Sequence, residues 1–205
     1  GEPHARFRED KLRLLRAVRL SSRFGFPIEE TTKAAILEMA PQLGVVSAER
    51  IADEFHKMLL HRNRLVALHM LDDLGLMRVV LPEVEREMKG LPQGSPHAPT
   101  GDLWAHVLQV VGCLEGAQWP EPTNVTFPLV MAAILHDVGK RRAAVLHHDH
   151  YTFHGHEHIG KRLAGIVCQR LKLSNVERNR IEWLVERHQY LCEAQTLRPS
   201  KLKPI

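Results

Sequence analysis

Ala133-Ile134-Leu135-His136-Asp137-Val138-Gly139-Lys140 ends an apolar run with imidazole directly beside carboxylate. Neutral imidazole offers a nitrogen ligand and carboxylate offers charge, so a pair placed at the close of a helical segment calls for a shared partner. A metal ion is the natural one. Gly139 and Lys140 read as a helix end followed by a cation available to phosphate. Other histidines recur at matching points. His106 lies inside the amphipathic segment 102–114, His156 opens another in His154-Gly155-His156-Glu157-His158, and His188 closes a third that begins at Ile181. Four helices can therefore aim imidazoles at one centre, and the expected fold class is all-α.

The rest of the chain supports that class. Apolar residues recur at three- and four-residue intervals over 7–23, 32–39, 48–60, 64–74, 102–115, 129–137, 157–171 and 175–188, whereas β-type alternation is scarce. Thr31 or Thr32 is expected to cap the second helix and Ser47 the third. Ser174 and Glu177 have capping-box spacing, and Gly75 suits a left-handed position after Leu74. Gly90, Pro92, Gly94, Pro96, Pro99 and Gly101 interrupt any helix, so 89–101 is read as a linker between units 1–88 and 102–205. The His-rich stretch 141–153 is read as irregular. Its His147, His148 and His150, with His154 just beyond, are taken as a polar loop. Met70, Trp104 and Trp183 are assigned to apolar packing.

With 205 residues and 44% hydrophobic content the chain can bury a sizeable core. No apolar run is long enough to span a bilayer and no charged-then-apolar leader precedes the first helix, so no membrane partner is expected and the cytoplasm is the default location. Cys113, Cys168 and Cys192 are widely spaced in apolar helical contexts, which implies neither a disulfide framework nor a zinc knuckle. They are read as core residues. The net charge of +4 is modest, but seven basic residues crowd the stretch from Arg6 to Arg23.

On that first helix Phe7, Leu14, Leu15 and Val18 gather on one side, and Arg13, Arg16, Arg19 and Arg23 form a basic stripe on another. Asp10 precedes Arg13 by three residues, so a carboxylate acceptor and a guanidinium donor are expected side by side on one helical turn. Such an edge can read a nucleobase, with the later arginines available to phosphates. Intrahelical ion pairing is the plainer use of the same spacing.

The order His106, His136-Asp137, then a glycine-flanked His156 resembles the HD superfamily of metal-dependent phosphohydrolases. Arg6-Phe7-Arg8-Glu9-Asp10-Lys11-Leu12-Arg13, then Ser22-Arg23-Phe24-Gly25-Phe26-Pro27, resembles the neck of the class II tRNA nucleotidyltransferases, the bacterial CCA-adding and poly(A) polymerase family. Val46-Ser47-Ala48-Glu49-Arg50-Ile51, Gly75-Leu76 and Leu81-Pro82-Glu83 continue that likeness. The resemblance implies a helical neck and body followed by a helical HD domain. It assigns Asp10 and Arg13 to the base edge of CTP or ATP, Arg16 to phosphate, and Arg19 and Arg23 to tRNA. His106, His136 and Asp137 become ligands of a divalent ion such as Mg²⁺, Mn²⁺ or Ni²⁺, with Lys140, His156 and His188 in catalytic roles on phosphate.

The family's head domain, which holds Mg²⁺ and transfers the nucleotide, has no counterpart here. The chain therefore reads as a fragment that does not extend tRNA by itself. The superfamily's final Asp ligand is also missing after Asp149, and Ser200 to Ile205 reads as an interruption. The expected function is the carboxy-terminal part of a tRNA nucleotidyltransferase acting in 3′-end maturation. A free-standing HD phosphohydrolase acting on 2′,3′-cyclic phosphates or nucleotides and a non-catalytic RNA-binding module are the alternatives. Nothing in the sequence decides the oligomeric state.

Overall fold

The computed structural model describes residues 1–92, 101–116, 125–148 and 150–192, and it is all-α apart from one short hairpin. Helix α1 (Pro3–Glu9) starts where Pro3 needs no N–H partner, and the Glu2 carboxylate accepts the His4 and Ala5 amides at 2.9 and 2.6 Å. The periodicity predicts one helix over 7–23, but the chain breaks at Asp10 before α2 (Arg13–Phe24). The cause is local. Asp10 adopts extended backbone, its Oδ1 accepts the Leu12 amide at 3.0 Å and its carbonyl accepts the Arg13 amide at 3.1 Å, a turn that displaces the helical bonds.

Helix α2 buries Leu14, Leu15 and Val18 against α4 (Ala48–Leu59) and α5 (Arg64–Asp73). It ends at Gly25, whose φ of 72° suits glycine. Helix α3 (Glu30–Met39) is capped by Glu29, which accepts both the Thr31 and Thr32 amides, so neither threonine is the cap. Ser47 does occupy the N-cap position of α4, but without a side-chain bond. Gly75 takes the expected left-handed conformation after Leu74, and α6 (Met77–Val80) leads into a π-type turn over Val84–Met88.

In the later half, α7 (Leu103–Gly116), α8 (Phe127–Leu135), α10 (His156–Arg170) and α11 (Asn175–Cys192) pack with α10 on α11, α11 on α8 and α7 on α8. Between α8 and α10 lie the single-turn helix α9 (Lys140–Ala143) and the strands β1 (Val145–His147) and β2 (His150–Thr152). These strands pair antiparallel, with Val145 opposite Thr152, where the sequence suggested only irregular chain. The capping box forms as expected: Glu177 accepts the Ser174 amide at 3.0 Å, and Ser174 Oγ accepts the Glu177 amide at 3.2 Å.

One apolar core runs from Phe7 to Val185. His56 of α4 stacks on Phe127 of α8 with ring centroids 4.3 Å apart, and Trp104 donates Nε1–H to Asp72 at 3.0 Å. Arg142 meets the buried Glu87 at 2.5 Å, and Arg170 meets Glu83 at 2.7 Å. Most of the expected linker, residues 93–100, lies outside the described residues; at its ends Leu103 donates to the Leu91 carbonyl at 2.9 Å. Among the described residues no helix is long and apolar enough to cross a membrane. Cys168 is buried, and desolvation, reinforced by Glu182, pushes its thiol up to about 12. Cys113 is exposed rather than in the core, and the side chain of Cys192 lies outside the described residues.

Candidate metal centre and the amino-terminal basic face

His136 and Asp137 sit in the turn that follows α8, with Val138 anchored in the core on one side and Gly139 pressed against α10 on the other. A Cβ on Gly139 would collide with the His156 carbonyl and approach the Gly160 amide nitrogen at 2.6 Å, so this glycine permits the close passage that brings His156 to Asp137. The Asp137 carboxylate is almost fully buried, and its two oxygens serve two different histidine pairs.

On one side, Oδ2 lies 3.1 Å from His136 Nε2 and 3.6 Å from His106 Nε2, and those nitrogens are 3.3 Å apart. On the other, Oδ1 lies 3.1 Å from His156 Nε2 and 3.5 Å from His188 Nε2, again with 3.3 Å between the nitrogens. Each set has ligand atoms close enough to share one cation. Lys140 Nζ adds an ion pair to Oδ2 at 2.8 Å and lies 5.5 Å from the Phe153 ring centroid.

Three of the four imidazoles are oriented by the carbonyl three residues earlier. His136 Nδ1 bonds Ala133 at 2.9 Å, His156 Nδ1 bonds Phe153 at 2.7 Å and His188 Nδ1 bonds Val185 at 2.8 Å. A carbonyl only accepts, so each Nδ1 carries the proton and each Nε2 turns a lone pair toward the carboxylate. This donor set fits a divalent cation. Burial opposes ionisation of Asp137, but the His136, His156 and His188 rings, which donate from Nε2 only when they also carry a proton there, hold its carboxyl far below the usual carboxylate range. Burial and the neighbouring His136 lower His106, whereas at His156 burial is outweighed by Asp137 and the residue is raised.

The centre forms the floor of a cavity of about 650 Å³ whose upper wall is apolar, built from Val110, Leu114, Leu129, Ala132 and Leu184. All six residues expected around this centre, His106, His136, Asp137, Lys140, His156 and His188, are thus brought together. What the sequence reading missed is that His156 and His188 stand to Oδ1 as His106 and His136 stand to Oδ2. The pattern of one imidazole per helix hinted at convergence but could not assign a carboxylate oxygen.

The amino-terminal face is rearranged relative to expectation. Because the helix breaks at Asp10, its carboxylate does not pair with Arg13. It meets Arg50 at 3.0 Å and Arg16 at 3.7 Å, while Arg13 binds Glu9 and donates to the Arg6 carbonyl at 2.9 Å. Hydrogen bonds from the Leu12 amide and Arg50 outweigh desolvation and lower the Asp10 carboxyl. Arg16 and Arg19 converge on the buried Glu54, at 3.4 and 2.6 Å. Arg23 is exposed and lies 5.8 Å from the Phe24 ring centroid. Arg50 enters the sequence reading only as part of a body motif; both it and Glu54 take part in this cluster.

Residues 25–88 match the family described as "Probable RNA and SrmB- binding site of polymerase A", and residues 104–204 match the HD domain. The chain is similar to the Multifunctional CCA proteins of Vibrio campbellii, 31% identical, Vibrio parahaemolyticus, 30% identical, and Tolumonas auensis, 33% identical. Each match covers 96% of this chain and 47% of the relative, so the chain spans about half the length of the curated relatives it matches. With both models matched in tandem and the relatives aligned along nearly its whole length, the chain carries a region of the polymerase-A RNA-binding type followed by an HD domain, and over that part it is related to the multifunctional CCA proteins.

Proposed function

We propose that this chain is the RNA-gripping and phosphohydrolase portion of a CCA- or A-adding tRNA nucleotidyltransferase, working in the cytoplasm on tRNA 3′ ends. In this reading residues 1–88 form the neck and body and residues 102–205 the HD unit. The observation that carries the hydrolytic half is the buried Asp137 carboxylate, flanked by two histidine pairs in which His136, His156 and His188 have fixed Nε2 lone pairs.

His106, His136 and Asp137 Oδ2 would hold one divalent ion, with Mg²⁺, Mn²⁺ or Ni²⁺ as candidates, and His156, His188 and Asp137 Oδ1 a second. A divalent ion in such a site polarises a phosphoryl oxygen and makes water a competent nucleophile near neutral pH. The protein's own groups do the rest. Lys140 presents its ammonium where negative charge grows on the phosphoryl oxygens, and the apolar wall excludes bulk water and accepts a sugar or base. The backbone carbonyls of Ala133, Phe153 and Val185 keep three of the rings in register throughout. A 2′,3′-cyclic phosphate or a 2′-nucleotide is the expected substrate class.

In the neck, Asp10, Arg13 and Arg16 are proposed to contact CTP or ATP, and Arg19 and Arg23 the tRNA, with a Mg²⁺-bearing head domain supplying the transfer chemistry. Support for the first four comes from their fixed placement: Asp10 is held by Arg50, Arg13 by Glu9, and Arg16 and Arg19 by Glu54, so these side chains need little ordering on binding. The test compares 2′,3′-cyclic nucleotide hydrolysis and bound metal in the native chain, His136→Ala and Asp137→Ala. Loss of both in the variants supports the reading, and indistinguishable values reject the hydrolytic half. In the intact nucleotidyltransferase, Arg13→Ala should relax the choice between CTP and ATP; unchanged choice rejects the base-edge role.

A further inference from the structure

Helix α11 carries a feature that the metal centre does not use. Trp183, expected in apolar packing, is only partly buried, and two guanidiniums lie over its ring, Arg180 at 4.7 Å and Arg187 at 5.0 Å from the centroid. They stand one helical turn before and one turn after the indole, so the three residues make a single stripe. Stacking engages the flat face of a guanidinium and leaves its N–H edge to acceptors.

Neither Arg180 nor Arg187 lies within ion-pair distance of a carboxylate among the described residues. Arg178 by contrast faces Glu182 at 3.7 Å, and Lys161 binds Glu186 at 2.9 Å. Trp183 thus holds two cations in place without neutralising them, within about 10 Å of one another. No residue of the stripe lines the cavity itself, but its neighbours on α11 do. Leu184, His188 and Gln189 line it, and Arg187 immediately precedes His188, whose Nε2 is 3.5 Å from Asp137.

We propose that Arg180, Trp183 and Arg187 form a phosphate-binding rail for single-stranded RNA that leads a strand's terminal nucleotide into the cavity at Asp137. The inference rests on the phosphohydrolase reading of that cavity. Two preoriented guanidinium edges within about 10 Å of one another suit a repeating anion, and a cavity of about 650 Å³ takes one nucleotide rather than a duplex, so the entering end is unpaired.

The experiment uses the full chain with a labelled RNA heptamer ending in a 2′,3′-cyclic phosphate, and 2′,3′-cyclic AMP as the mononucleotide. Binding is followed by anisotropy over a range of salt concentrations, and hydrolysis of both compounds is measured. The double variant R180A/R187A should bind the heptamer about tenfold more weakly and lower the salt slope of log K by about 1.4, the value for two lost phosphate contacts. Its KM for heptamer hydrolysis should rise while kcat/KM for 2′,3′-cyclic AMP stays the same. R180K/R187K, which keeps the charge, should retain most of the slope. Equal heptamer affinity and slope in R180A/R187A overturns the rail, as does an equal loss on heptamer and mononucleotide. The binding arm is independent of turnover: if the native chain hydrolyses neither compound, the phosphohydrolase reading fails while the slope change still upholds the rail.

Discussion

His156 and His188 bring their Nε2 atoms to 3.3 Å although each ring has committed its Nδ1 proton to a carbonyl of its own helix turn. Two lone pairs so placed repel unless positive charge sits with them, and His106 and His136 repeat the 3.3 Å approach across the carboxylate. Asp137 is the member common to both pairs.

Metal content should follow that sharing. After loading with Mn²⁺ or Ni²⁺ and removal of free ion, elemental analysis should find Asp137→Ala without bound metal. His188→Ala should lose only the ion on the Oδ1 side and keep the other. Equal metal-to-protein ratios in these two variants would count against a shared carboxylate.

Glu54 is a stability determinant of the neck. Its carboxylate is 3% exposed and receives Arg19 at 2.6 Å, with Arg16 at 3.4 Å and Lys57 at 3.8 Å. Removing it leaves a partly buried guanidinium without its partner, so Glu54→Ala should lower unfolding stability by about 2–3 kcal/mol in urea titration. Asp53→Ala, which removes only the exposed partner of Lys57, should cost under about 1 kcal/mol.

Gly139→Ala is a steric test of the turn. Its φ of −81° is ordinary, so any effect comes from the Cβ meeting α10 backbone rather than from strain. Overpacking against backbone should destabilise by at least about 2 kcal/mol and reduce metal retention along with it. A thermal melt and metal content matching the native chain would show that α10 can yield.

The α3 cap has a pH signature. Hydrogen bonds from the Thr31 hydroxyl and amide, with those of Thr32, lower the Glu29 carboxyl from 4.5 to about 2. A pKa depressed in the folded state gives stability that is complete above the unfolded value and disappears as pH falls through the folded one. The difference in Tm between the native chain and Glu29→Gln should therefore be constant above about pH 4.5 and shrink toward zero near pH 2. A difference that persists at pH 2 would contradict this.

Thiol reactivity separates two cysteines that look alike in sequence. Iodoacetamide at mildly alkaline pH should modify exposed Cys113 in the native protein and spare Cys168, whose thiol is buried and pushed up to about 12. Peptide mass analysis after denaturation should then find Cys168 newly reactive.

These details also mark the reach of the sequence. Helical periodicity locates most helices because burial is what the period encodes, and the Ser174–Glu177 box and Gly75 carry their chemistry locally. The break at Asp10 was hidden because Phe7 and Leu14 are buried on both sides of it, so the apolar pattern continues across a turn made by one carboxylate and an arginine forty residues away. Glu29 was passed over because glutamate is an uncommon N-cap, and Thr31 and Thr32 offered more familiar candidates. At the centre, the histidines and Asp137 were legible from type and spacing. The division of that carboxylate between two pairs depends on how α10 crosses Gly139, a tertiary distance no local pattern contains.

The single turn α9 links two places at once. Lys140 reaches Asp137, while Arg141 donates to the Lys89 carbonyl at the start of the linker stretch and Arg142 grips Glu87 just before it. Three consecutive residues thereby tie the floor of the cavity to the surface that the polymerase-A match covers, like a rivet through two plates. Under the proposed function the two halves would act as one ruler: a strand held along the amino-terminal arginines would meet the carboxylate at a set length, and a tilt of one half would be felt at once by the other.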